Sequence, residues 1–321
     1  LFSEASDDSA AALVAGSGGR VERIAGDGRP EAEIAVLEQA ELMPCDVMIA
    51  DIAHARVLPE RQRLPALLRA LHRPARRLAV LEGLGGDAIT GEADGIAELI
   101  LTPYAYDPAE TPKPKESRQV IGAEYAILDA AYGAEAGDLR EIAPQGRRVL
   151  VTTGGGDPTG VAPQVLAACE AVTPAPLEIH VVVGPYFSPA LRQEIENLAA
   201  ASRHRVSLIE APEDLRAEML WCDLAVSTSG LTKYELAATG TPAILLSHDS
   251  AHAQNNRPFA ALGTALDLGE AAGLSTATLA EALGVLLNDA ARREEMSRRG
   301  RAAVDGAGAA RIIDAIEELT L

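Results

Sequence analysis

Basic side chains are scarce in this 321-residue chain: 28 Lys and Arg stand against 47 Asp and Glu, for a formal net charge of −19. A protein that neutralises nucleic-acid phosphates or an anionic membrane surface presents clustered Lys and Arg, so the balance argues against both partners. Aromatic residues make up 3% of the chain, with one tryptophan. The cations around His72, namely Arg69, Arg73, Arg76 and Arg77, form a stretch too short and too poor in aromatics for a nucleic-acid surface. Of the three cysteines, Cys45, Cys169 and Cys222, no two share a CxxC spacing, and each sits in or beside an apolar run. That disfavours a disulfide framework or a zinc site and fits reduced thiols. No apolar window reaches the roughly 18 residues of a membrane helix, and the chain does not open with a basic region followed by an apolar core. A soluble, cytoplasmic protein is expected.

Hydrophobic residues, at 48%, supply ample core, and the length suits two domains of ordinary size. Short Val-, Ile- and Leu-rich runs alternate with helical patterns of ten or more residues, the signature of βα units around a buried parallel sheet. The pattern predicts strands over 20–24, 46–50, 77–81 and 98–102, with helices over 7–15, 31–42 and 60–71. Residues 103–117 turn polar and proline-rich and read as a loop. A short strand and a helix follow over 121–139, and 143–148 reads as a linker. The alternation restarts with strands over 149–153, 178–183, 205–209, 224–227 and 243–247. Helices fit 161–172, 189–201, 213–221, 231–238 and 254–262, and the tail over 275–321 is helical. The expected architecture is α/β: two doubly wound Rossmann-like domains, 1–142 and 148–321, facing each other across a cleft, with the last helices packing back on the first domain.

Three loops carry candidate chemistry. In the first, an apolar strand over 149–153 runs into Gly154, Gly155 and Gly156 and then a helix with Pro163 in its first turn. Glycines let backbone N–H groups approach a ligand, and a helix N-terminus favours an anion, so a phosphate fits there. It is not a Walker A loop, because no Gly-Lys-Ser/Thr follows, and Thr159 breaks the GxGxxG spacing of a dinucleotide-binding dehydrogenase. In the second, the strand over 224–227 opens through Ser229, Gly230, Leu231 and Thr232 into a helix that Gly240 and Pro242 stop. Two helix starts at the carboxyl edge of one sheet can flank a single diphosphate. Glu235, about one turn inside the second helix, can accept two hydrogen bonds from a ribose diol; a solvated helix glutamate is the plainer alternative. The third loop, after the strand over 243–247, gathers His248, Asp249, His252, Gln254 and Asn255, residue types that suit sugar hydroxyls. Its residues also read as loop polar groups, with 254–256 as a helix cap. A metal site lacks a third ligand, and HExxH is absent. In the first domain Asp51 and His54 follow the strand over 46–50 and also fall at a strand carboxyl end.

These segments resemble nucleotide-sugar enzymes of the GT-B fold. Within that class the chain looks most like the family of the UDP-2,4-diacetamido-2,4,6-trideoxy-altropyranose hydrolase of pseudaminic acid biosynthesis and its relatives in spore-coat polysaccharide synthesis. The resemblance rests on VLVTTGGGDPTG (149–160), VVVGP (181–185), DLAVSTSGLTKYELAATGTPAILL (223–246) and AHAQNNRPFAALG (251–263), with GAEYAILD (122–129) ahead of them. It implies that Gly154, Gly155 and Gly156 lie near a diphosphate and that Ser229, Gly230, Leu231 and Thr232 line the nucleotide site. It further implies that Glu235 holds the ribose of a uridine and that Gln254 and Asn255 approach the diphosphate or sugar. The family opens with a strand and a Gly-His loop whose histidine takes part in catalysis. That segment has no counterpart from Leu1 onward, and a missing N-terminal segment is the expectation. The family's Asp-His-Tyr run is matched at Asp51 and not at the tyrosine, which puts the same sugar in doubt.

The leading expectation is a UDP-sugar hydrolase, with Asp51, His54, His248 and His252 as candidate bases and no metal or other cofactor required. A UDP-sugar-dependent glycosyltransferase uses the same leaving-group site, and a non-catalytic nucleotide-sugar-binding relative is the third alternative. The oligomeric state is left open.

Overall fold

The computed structural model describes residues 2–3, 23–24, 44–52, 61–83, 89–107, 109, 113–133, 140–173, 176–210, 212 and 215–321. The helices expected over 7–15 and 31–42, and His54, lie outside them. The chain divides into two compact units, one of Leu1–Pro103, Glu110–Ile121 and Arg311–Leu321, the other of Tyr104–Ala109 and Gly122–Ala310.

In the first unit, β1 (Phe2–Ser3) and β2 (Arg23–Ile24) pair in parallel. A separate parallel sheet runs in the order β3 (Cys45–Ile52), β4 (Ala75–Glu82), β5 (Leu99–Thr102) and β6 (Arg118–Ile121). Between β3 and β4 lies α1 (Leu64–His72). The helix expected from residue 60 starts at Leu64, after a 3-10 turn over Arg61–Arg63, with a proline in its first turn, where the missing N–H costs nothing. Leu64, Leu67 and Leu68, at helical spacing, are buried against Leu78, Val80 and Ile100, and each contributes about 1.5–3 kcal/mol by leaving water. The short α2 (Thr90–Ala93) precedes β5. Glu82, 1% exposed at the end of β4, is fully partnered: it accepts from Ile89 N at 2.8 Å, Thr90 Oγ1 at 2.7 Å and Thr102 Oγ1 at 2.5 Å. The tail joins this unit through Arg77 Nε, which donates to the Leu319 carbonyl at 3.3 Å, and through the Arg118–Glu318 ion pair.

The second unit holds six parallel strands with helices between them. In chain order these are β7 (Arg148–Thr152), α3 (Val161–Cys169), β8 (Glu178–Val183), α4 (Pro189–Ala201), β9 (Arg205–Glu210), α5 (Leu215–Trp221), β10 (Leu224–Ser227), α6 (Thr232–Ala238), β11 (Ala243–Ser247), α7 (Ser250–Ala261) and β12 (Ala265–Glu270). Two helices follow, α8 (Thr276–Asn288) and α9 (Ala290–Ala303), and then α10 (Gly308–Glu317), most of which falls in the Arg311–Leu321 segment of the first unit. The spatial order β12-β11-β10-β7-β8-β9 reverses between β7 and β10, the topological switch point at which doubly wound sheets bind ligands outside their carboxyl ends. Val149, Val151, Val181, Leu224, Val226 and Ile244 are fully buried or nearly so in one core with α3 and α8.

The α/β reading, with parallel Rossmann-like sheets, is borne out in both units, with four corrections. Arg118–Ile121 is a strand, where the sequence suggested a loop ending at 117 and a strand starting at 121. The helix expected within 121–139 is, among its described residues, two 3-10 turns, Ala123–Tyr125 and Ala130–Tyr132. β12 lay in a stretch read as neither strand nor helix. Finally, α7 starts at Ser250 rather than 254, because Asp249 caps it by accepting from His252 N at 2.9 Å.

Candidate functional site

The loop after β7 is shaped by two close approaches. Gly154 has a φ of +81°, which an L side chain rarely adopts. The loop then lies directly on Gly184, after β8: a Cβ there would stand 2.5 Å from the carbonyl oxygens of both Gly154 and Gly155. Tyr186 N donates to the Gly155 carbonyl at 2.8 Å, and the Tyr186 side chain, 74% exposed, lies against Gly155 and Gly156. Asp157, 2% exposed with a φ of +41°, accepts from Val161 N at 2.8 Å and Ala162 N at 2.9 Å. This corrects one expectation: the first-turn N–H groups of α3 are taken by the chain's own carboxylate rather than offered to a ligand.

What this edge leaves open is a set of hydroxyl and amide groups. Ser227, the last residue of β10, pairs in register with Thr152 of β7. Its Oγ, Thr153 Oγ1, Ser229 Oγ and Asn255 Oδ1 are all buried without a hydrogen-bond partner within the protein. Such orphans are uncommon in folded proteins and each costs on the order of 1–3 kcal/mol, and these four stand around the switch point. Glu235 is half-buried in the first turn of α6; burial pushes its carboxyl above the usual range, and a hydrogen bond from Thr232 works against that rise. Leu231, just before the helix, is 45% exposed.

The third segment closes onto the first. His248 Nδ1 lies 2.7 Å from Thr159 Oγ1 of the glycine loop, and its ring packs edge-on to His252 with centroids 5.7 Å apart. Burial holds His248 below the ordinary imidazole range, which favours the neutral ring. His252 Nδ1 pairs with Asp249 Oδ1 at 2.8 Å. Because α7 begins at Ser250, His252, Gln254 and Asn255 are helix residues rather than loop residues; Gln254 is exposed and Asn255 buried. The structure therefore brings the three loops of the second unit to one sheet edge. Asp51 is exposed near the end of β3, in the first unit.

Two groups escaped sequence reasoning. Asp157 reads in the sequence only as a polar residue of the glycine loop. Lys233, inside the segment after β10, is 1% exposed: its Nζ donates to the Asn255 carbonyl at 2.8 Å and to Asn256 Oδ1 at 3.2 Å. Nothing in the one-letter string separates it from a solvated helix lysine. Among the described residues no group of three or more His, Cys, Asp or Glu side chains is placed to hold a metal ion, and no helix is long and apolar enough to cross a membrane.

No family model matches the chain. It is 29% identical over 201 residues, 62% of its length, to the spore coat polysaccharide biosynthesis protein SpsG of Bacillus subtilis (strain 168), and the match spans 58% of that relative. Among solved structures it is similar to MurG of Acinetobacter baumannii, with a TM-score of 0.66 and 12% identity over 96% of this chain and 87% of that one. It is similar to CalG4, the calicheamicin glycosyltransferase, with a TM-score of 0.63 and 16% identity over 97% and 89% of the two chains. Anabaena HepE, solved with UDP-glucose, gives a TM-score of 0.58 and 13% identity over 98% and 91%. With the two parallel α/β units, these likenesses establish the GT-B fold.

Proposed function

We propose that the chain is a nucleotide-sugar enzyme that breaks the bond between the sugar and the diphosphate of a UDP-sugar, with water as the acceptor, in the synthesis of a surface-polysaccharide or nonulosonic-acid sugar. The observation that carries this is the set of unpartnered buried groups at the switch point, Thr153, Ser227, Ser229 and Asn255, which a diphosphate and its sugar would satisfy. In this reading the backbone of Gly154, Gly155 and Gly156 and the hydroxyls of Thr153 and Ser229 donate to the leaving diphosphate. Gly230, Leu231 and Thr232 border the nucleoside, Glu235 accepts from the ribose diol, and Gln254 and Asn255 meet the sugar. His248, whose neutral form burial favours, takes the proton of the attacking water; Asp51, His54 and His252 are the other candidates. HepE with UDP-glucose and the polysaccharide role of SpsG support the substrate class.

Transfer to an acceptor hydroxyl is the second reading, favoured by the similarity to a calicheamicin glycosyltransferase. The test is a thermal-shift panel with UDP, CMP, GDP, ADP and NAD, followed by incubation with UDP-sugars in ¹⁸O-water. A ligand of the native state raises the melting temperature, and a shift selective for UDP is expected, then release of UDP with the label in the free sugar. Release that waits for an added acceptor makes the enzyme a transferase. Binding of UDP with no release under either condition leaves a non-catalytic binder, and no shift with any nucleotide overturns the reading.

A further inference from the structure

A lysine ammonium loses its hydration when buried, and the loss is tolerated only where other groups replace the water. Lys233 is 1% exposed and no carboxylate lies within ion-pairing distance of it among the described residues. Its replacements are the Asn255 carbonyl, the Asn256 side-chain oxygen, and the faces of Tyr234 and Phe259, whose centroids both lie 5.5 Å from Nζ. Asn256, fully buried, passes the connection on: its Nδ2 donates to Ser247 Oγ at 3.0 Å. One buried polar chain thus joins α6, α7 and the end of β11. Each of those three elements carries a group of the candidate site: Glu235 on α6, Asn255 with its unpartnered Oδ1 on α7, and His248 directly after β11.

We propose that Lys233 is a positioning residue for the nucleotide-sugar: its ammonium ties α6 to the backbone of Asn255, and so fixes the spacing between Glu235 and the unpartnered Oδ1 of Asn255. The inference rests on the nucleotide-sugar reading of the site. A lysine that only filled space would be replaceable by methionine without loss. A lysine that grips through charge-assisted hydrogen bonds would not, since such bonds are roughly twice as strong as neutral ones. The grip also carries a pH signature. Burial brings the Lys233 ammonium down to about 7, with Asp267 on β12 opposing the fall, so it is charged below that pH and neutral above it. The tie is therefore tightest below pH 7 and loosens as pH rises. Asp267 is the carboxylate whose charge acts on Lys233, and the Tyr234 ring lies against its ammonium; Glu235 shares α6 with it, and His248, Asp249 and His252 stand around the start of α7.

The experiment measures UDP affinity by calorimetry from pH 5.5 to 8.5 in the wild type, Lys233→Met and Asn256→Asp. In the wild type, affinity is expected to fall about tenfold as pH rises through 7, the scale of one charge-assisted bond. Lys233→Met should bind UDP about tenfold more weakly at pH 6 and lose the fall near pH 7, while any fall owed to the histidines or to UDP itself persists. Asn256→Asp gives the ammonium a carboxylate partner and should move the fall upward by a pH unit or more, a result that a misfolded variant cannot mimic. Should Lys233→Met match the wild type at every pH, or Asn256→Asp leave the profile where it was, the positioning role is overturned and the nucleotide reading survives. Absence of UDP binding in the wild type overturns the nucleotide reading, and this role with it.

Discussion

The two edges of the second unit's sheet are built from similar material and are finished differently. At the amino edge, Asp223 accepts from the N–H groups of Arg147 and Arg148 at 2.8 and 2.9 Å, and Arg205 pairs with Glu178 at 3.0 Å. The buried Arg293 guanidinium is spread over the carbonyls of Leu286, Leu287 and Ala143. Two buried groups beside this edge lack a partner among the described residues, Arg140 Nε and Ser297 Oγ. At the carboxyl edge Thr153, Ser227, Ser229 and Asn255 have none. A cavity of about 440 Å³ nevertheless sits at the amino edge, lined by Arg147, Arg148, Glu178, Arg205 and Asp223. The contrast teaches that a concentration of unspent hydrogen-bonding capacity, rather than open volume, marks the candidate site: Asp223, Glu178 and Arg205 in the cavity are engaged in pairs that hold the sheet together, whereas the four groups gathered at the carboxyl edge bond nothing in the chain itself.

The sharpest way to break this comparison is at Gly184. Alanine there puts a Cβ 2.5 Å from two backbone carbonyl oxygens, so the glycine loop must move off β8. Under the proposed function, UDP affinity should fall about a hundredfold or more while stability drops by about 1–3 kcal/mol, the usual cost of an overpacked site. Calorimetry with UDP and a denaturant titration measure the two, and an unchanged affinity would detach the loop from the ligand. The opposite edge predicts the opposite pairing of effects. Asp223→Ala leaves two N–H groups unmet and removes a carboxylate that favours the charged forms of the buried Arg140 and Arg293. It should cost about 2 kcal/mol of stability or more and leave UDP affinity within about twofold; a tenfold loss of affinity in a folded protein would join the two edges functionally.

How much of this was legible in the sequence follows from how each element is buried. β10, buried along its whole length, and β8, which ends in three buried valines, carry enough apolar residues for their predicted bounds to coincide with the observed ones. β6, which starts three residues before the strand that the sequence suggests, and β12, which the sequence does not show, both lie at sheet edges and are only partly buried. Their sequences, RQVI and ALDLGE, carry charged or polar residues where a central strand would carry Val or Ile. The glycine, serine and histidine loops could be assigned to one sheet edge because βα alternation alone puts every such loop at the strand carboxyl ends. Burial of Lys233 and capping of α3 by Asp157 could not, because both depend on where a side chain turns in three dimensions. The late start assigned to α7 has a similar cause: Asp249 caps it from within a polar stretch that has no apolar periodicity to mark the first turn.

The gentlest substitution separates the two edges most cleanly, since it should change binding without cost to the fold. Ser229→Ala deletes a hydroxyl that is buried and unpartnered. Removing one member of a satisfied pair normally costs about 1 kcal/mol, but an orphan has no such bond to lose, and its desolvation penalty goes with it. The melting temperature in the absence of ligand should therefore stay level or rise slightly. If Ser229 donates to the diphosphate, the variant should bind UDP about fivefold to tenfold more weakly, in keeping with one hydrogen bond to a charged group. A lowered melting temperature with unchanged affinity would reverse the argument, because the hydroxyl would then serve the fold after all and the carboxyl edge would resemble the amino one.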